Sequence, residues 1–125
     1  MATVQVGTIS QEVVSTLSLD DKVINAPILL GDTNKAHMKR KHNTDYTQYK
    51  NYIPTILNAP DYVGVNPKDN SIEYVKEFCE NGNFVKVAVR VSTNGQYYAR
   101  SLYVLNPNRV NNFIQKNFLK PLDNT

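Results

Sequence analysis

At 125 residues, 41% of them hydrophobic, with a net charge of +3, the chain can bury a core without staples and is too apolar to stay disordered. Its one cysteine, Cys79, excludes an internal disulfide and lacks the companions a zinc site needs. No run approaches the roughly 20 apolar residues of a membrane span and the start has no signal-peptide pattern, so the expectation is one cytoplasmic domain over residues 1–125, without metal or cofactor and with no membrane partner.

The charge is unevenly spread. Residues 35–50 carry +4 and residues 83–125 carry +5, while residues 1–30 carry −2 and 61–80 carry −3. Gathered positive charge with a pI near 9.0 is the footprint of a chain that meets phosphates. Eight tyrosines and no tryptophan supply flat rings for a core or for stacking on bases.

In chain order, Val4, Val6 and Thr8 alternate with small or polar residues and predict a short strand. Ser10 is placed to cap a helix running to Leu17, with Glu12 at the positive end of its dipole. Val23 to Leu30 is apolar and contains Pro27, which suits an edge strand or an extended connection. A helix follows from about Thr33 to Lys41. A second starts at Asn43 or Thr44 and carries Tyr46, Tyr49, Ile53, Ile56 and Leu57 at helical spacing, with Pro54 either kinking it or opening a separate helix. Tyr62 to Pro67 reads as a strand and turn.

From Ser71 the period becomes two. Ser71–Phe78, Phe84–Ser92 and Gln96–Leu105 read as strands, separated by turns at Asn81-Gly82 and Asn94-Gly95. A two-residue Asn94-Gly95 loop sets paired numbers to a sum of 189. Val91, Val89, Val87 and Val85 then face Tyr98, Arg100, Leu102 and Val104 on an apolar side. Ser92, Arg90, Ala88 and Lys86 face Tyr97, Ala99, Ser101 and Tyr103 on a polar one. Asn106-Pro107 starts a last helix with Val110, Phe113, Ile114 and Phe118 on one side. The fold class is α+β: N-terminal helices on a small antiparallel sheet, plus a C-terminal helix.

The run Lys35-Ala-His-Met-Lys-Arg-Lys-His42 holds four cations and both histidines of the chain. The helix dipole favours Lys39, Arg40 and Lys41 in a last turn, which explains the charges and leaves His37 and His42 unexplained. Imidazole is the side chain best suited to exchange protons near neutrality, so two among cations suggest a site that grips a phosphate and moves protons beside it.

Taken with Tyr-Ile-Pro-Thr-Ile-Leu-Asn-Ala-Pro-Asp-Tyr-Val-Gly64, Ser-Ile-Glu-Tyr74 and the hairpin strands, the His-Met-Lys-Arg-Lys-His42 part of this run resembles the phage- and mobile-element nuclease domains of the barnase–EndoU–colicin–RelE (BECR) group, most strongly over residues 30–106. The Lys39-x-Lys41-His42 spacing is similar to the catalytic run of colicin D-type transfer-RNA nucleases. Those toxins add a hydroxyl on the sheet, for which Ser92 is the choice and Ser101 the reserve. They also use a sheet tryptophan that is absent here, which leaves Tyr97 or Tyr98 in its place.

The resemblance implies a metal-independent ribonuclease, toxin-like and acting on transfer RNA or another structured RNA. It would be phage-encoded or delivered into a target cell, with an immunity or inhibitor protein as a further partner. Such cleavage uses the 2′-OH as nucleophile and yields a 2′,3′-cyclic phosphate, with positioned acid–base groups contributing about 10²–10⁴-fold. His42 would be the principal base or acid and His37 the second proton carrier. Lys41, Lys39 and Arg90 would stabilise phosphate charge, Ser92 would hold the scissile phosphate, and Arg40, Thr93, Tyr97, Tyr98 and Ser101 would line the substrate path. The competing expectations are a non-catalytic nucleic-acid-binding module on the same basic surface, and an interaction protein that kept the fold.

Overall fold

The computed structural model describes residues 3–78 and 82–122; Cys79 and the Asn81 half of the expected turn lie outside them. The period-two stretches join into one seven-stranded sheet of β1 (Thr3–Thr8), β2 (Pro27–Gly31), β3 (Tyr62–Val65), β4 (Ile72–Phe78), β5 (Asn83–Val91), β6 (Tyr97–Leu105) and β7 (Lys120–Pro121). Their order is β1-β2-β6-β5-β4-β3-β7. The helices are α1 (Gln11–Leu17), α2 (Asp32–Lys41), α3 (Asn43–Tyr49), α4 (Ile53–Asn58) and α5 (Pro107–Gln115). This is the expected α+β class with one parallel junction, where Ile28 and Leu29 of β2 meet Tyr97 and Tyr98 of β6. β2 is therefore interior, and Pro27 stands at its first position, where the missing N–H disrupts least.

Side chains dictate the layers. Ile28, Val63, Tyr74, Val85, Val87 and Leu102 project from one sheet face and pack with helical residues such as Val13, Met38, Ile53 and Ile56 in the main core. A smaller core of Val75, Leu105, Val110 and Leu119 forms on the other face, where α5 lies. Ser10 and Asn106 cap their helices as the sequence predicts: Ser10 Oγ accepts from Val13 N–H at 3.2 Å and Asn106 Oδ1 from Arg109 N–H at 2.9 Å. Pro54 opens α4 as a separate helix after a 3₁₀ turn at Lys50–Tyr52.

The last helix is shorter than its sequence pattern suggests. It ends at Gln115, Asn117 takes a positive φ of 62°, and Phe118 leaves the helix so that β7 can pair with β3. Gly64 makes this return possible, since a Cβ there would lie 1.9 Å from the Phe118 carbonyl oxygen.

The hairpin differs from the two-residue loop. Ser92 N–H donates to Gln96 O at 2.7 Å and Gly95 N–H to Ser92 O at 2.9 Å, so the loop is longer. Pairs keep the expected register from Phe84–Leu105 to Ala88–Ser101, then shift by one to Val89–Ala99, Arg90–Tyr98 and Val91–Tyr97. Arg100 is the extra residue of a β-bulge. The physical reason is burial: unshifted, Arg100 would face Val89 on the apolar side, where a charge is costly. With the bulge Ala99 takes that place at 0% exposure, and Arg100 stays at the surface.

Candidate active site

β2 accompanies β6 only at Tyr97 and Tyr98. Further along, α2 and α3 cover the strand's edge, and Asp45 Oδ2 accepts from the Val104 N–H at 3.0 Å. α2 is anchored by Met38, fully buried in the main core. Its neighbours His37 and Arg40 line a cleft of about 480 Å³ together with Ser92, Tyr98, Arg100 and Asp32. Arg40 Nη2 stands 3.5 Å from His37 Nδ1. A guanidinium can only donate, so this contact places the imidazole proton on Nε2. Burial, then the charges of Arg40, Arg100 and Lys41, hold the His37 pKa below its ordinary value, because each disfavours imidazolium.

His42 closes α2 and stacks on Tyr103, with ring centroids 4.9 Å apart and planes at 27°. Tyr103 is the cross-strand partner of Lys86, whose Nζ lies 4.6 Å from the ring centroid and 2.7 Å from Glu73 Oε2. Glu73 is 8% exposed and Lys86 5%. Burial works against the charged ammonium, but the hydrogen bonds to Glu73 and Tyr103 outweigh it and raise the Lys86 pKa. Asn66 Nδ2 adds a 3.4 Å contact to the same carboxylate oxygen. The result is a connected line of Glu73, Lys86, Tyr103 and His42.

The other candidate residues divide. Lys39 and Lys41 are exposed in the last turn of α2, and Thr93 is exposed in the hairpin loop. Ser92 Oγ donates to Asn94 Oδ1. Arg90 is exposed opposite Tyr98. It helps to lower the pKa of Asp69, after the larger effect of the Ser71 hydrogen bonds. Ser101 is half-buried opposite Ala88. Tyr97 packs against the main core and lines a different small cavity beside Pro27. The structure thus brings His37, Arg40, Ser92 and Tyr98 to one cleft, sets His42 on Tyr103, and places Tyr97 apart from both.

Sequence reasoning missed Arg100, Tyr103, Lys86 and Glu73 as site residues. A signal existed for Arg100, since an arginine assigned to a valine face is a conflict that a bulge resolves. The Lys86–Tyr103 pair was in the expected register. Nothing local marks that Glu73 reaches Lys86 from the neighbouring strand.

Among the described residues no group of three or more His, Cys, Asp or Glu is arranged to hold a metal ion, and no helix is long and apolar enough to cross a membrane. A family model described as phage-Barnase-EndoU-ColicinE5/D-RelE like nuclease3 matches residues 4–112, from β1 into α5. No curated protein and no solved structure matches the chain. The family match does not single out the Lys39–His42 run. It takes in α1–α4, the start of α5 and all the strands but β7, so the chain belongs to the phage BECR-like nucleases, and its α+β architecture is a nuclease fold of that type.

Proposed function

We propose that this nuclease is an endoribonuclease that cleaves by attack of the neighbouring 2′-OH and needs no metal ion. The observation that carries the reading is His37 in contact with Arg40, with Arg100, Ser92 and Tyr98 lining the same cleft, where burial and the two guanidinium charges disfavour imidazolium. A phosphodiester drawn between the guanidiniums can form charge-assisted hydrogen bonds with both. When Arg40 turns to the phosphate, His37 Nδ1 is released and its lone pair can take the 2′-OH proton. The 2′-oxygen then bonds to phosphorus, the arginines offset the added charge, and the 5′-oxygen leaves with a proton. His42, five residues on and stacked on Tyr103, is assigned as the donor of that proton. The products are a 2′,3′-cyclic phosphate and a free 5′-hydroxyl.

The test is incubation with total RNA in EDTA, followed by analysis of the new ends. Cyclic phosphate ends are expected, and His37→Ala and His42→Ala should each cut about 10²–10⁴-fold more slowly while keeping the native circular dichroism spectrum. Native-rate cleavage by His37→Ala would overturn the assignment. Cleavage that EDTA abolishes would overturn metal independence. RNA retained on the protein but recovered intact would favour a binding module.

A further inference from the structure

A second pocket opens on the sheet face that carries Tyr103. It encloses about 250 Å³ between β4–β6, the turn after β3 and α5, and its walls include Lys68, Glu73, Lys86, Tyr103, Arg109 and Phe118. Three cations stand there against one carboxylate, and that carboxylate is already engaged by Lys86 at 2.7 Å. The remaining positive charge, on Lys68 and Arg109, is exposed. The guanidinium of Arg109 is held over the Phe113 ring at 5.6 Å. Phe118 is 41% exposed, and its backbone is seated against Gly64.

Exposed cations beside aromatic rings suit a ligand with an anionic group and a flat apolar one. A nucleotide is such a ligand: the rings stack on the base, and arginine and lysine take the phosphate. The pocket also adjoins the cleft. Tyr103 and Arg100 are three residues apart on β6, roughly 10 Å at 3.3 Å per strand residue, and His42 stacks on Tyr103. One polynucleotide can therefore reach both. A base held here must be out of its helix, which is how proteins read loops and single strands of RNA.

We propose that this pocket is a subsite for one unpaired nucleotide of the substrate, lying beside the cleavage cleft, with Arg109 and Lys68 on the phosphate and Phe118 on the base. It rests on the ribonuclease reading for its role but not for its detection. The experiment is calorimetric titration of the full chain with the four ribonucleoside 3′-monophosphates and with inorganic phosphate, beside cleavage kinetics on a single-stranded oligoribonucleotide. Nucleotide should bind more tightly than phosphate. Arg109→Ala and Phe118→Ala should each weaken it about tenfold, and His37→Ala should not. Both substitutions should raise KM more than they lower kcat. Lys68→Ala, at an exposed turn, repeats the test should either variant lose its fold.

Equal nucleotide affinity in wild type and in the pocket variants would overturn the subsite, as would binding that responds only to His37→Ala. If RNA is cut normally while the variants change nothing, the subsite falls and the ribonuclease stands. If Arg109-dependent nucleotide binding is found with no cleavage, the subsite stands and the ribonuclease reading falls.

Discussion

The cleft at His37 and the pocket at Lys86 are both cationic, and they keep their charge in opposite ways. Arg40 and Arg100 are exposed, so water solvates them. Lys86 is buried and stays charged because Glu73 and Tyr103 replace its water. Exposed cations are free to move onto a reacting group, whereas a buried pair fixes geometry and tolerates no loss of a partner. The cleft's cations are free to rearrange, and the pocket floor is held as it is.

The most severe way to break this distinction is Lys86→Met. It strands Glu73 in the interior, and urea denaturation should show a loss of about 3–5 kcal/mol, with much of it recovered when Glu73→Leu is added. A double variant as unstable as the single one would deny that the pair acts as a unit. His42→Ala removes only the exposed end of the Glu73–Lys86–Tyr103 line, and its stability should stay within about 1 kcal/mol of wild type because it surrenders one exposed stacking contact.

Gly64→Ala tests the wall rather than the charge. Its Cβ would displace the Phe118 backbone and should cost about 1–3 kcal/mol by thermal unfolding, with nucleotide binding in the Lys86 pocket reduced and the Arg40–His37 contact unaffected.

The smallest effect is on pH dependence. The His37 pKa lies below 6.5 in the folded chain, so the acidic limb of kcat/KM should lie below that of an ordinary histidine. Arg100→Gln or Arg40→Gln should move that limb to higher pH, which rate profiles would show. Linkage has a matching sign. Between the lowered pKa and 6.5 the unfolded chain binds more protons at this residue. His37 therefore weakens the fold as pH drops through that window and has no effect above it.

Much of this was legible because the relevant forces are local. Ser10 and Asn106 announce their caps, and the valines of β5 announce a buried face. What the sequence hid is non-local. The chain does not disclose that β2 slips in beside β6, because a parallel pair leaves no turn to read. The end of α5 was misjudged because Phe118 keeps the helical apolar spacing while its backbone is claimed by β3. Tyr97 and Tyr98 looked interchangeable, yet a shift of one residue sends neighbouring side chains to opposite faces. That shift put Tyr98 beside Arg90 and Tyr97 against the core.

The bulge also bears on how the cleft can be altered. Ala99 and Ser101 pair with Val89 and Ala88, consecutive residues of β5, so excising Arg100 would close the ladder into an unbroken hairpin with every other partner unchanged. The cleft's second guanidinium is thus a one-residue insertion in an otherwise regular strand. A protein engineer could remove it, or graft it into a relative, without retuning the rest of the sheet.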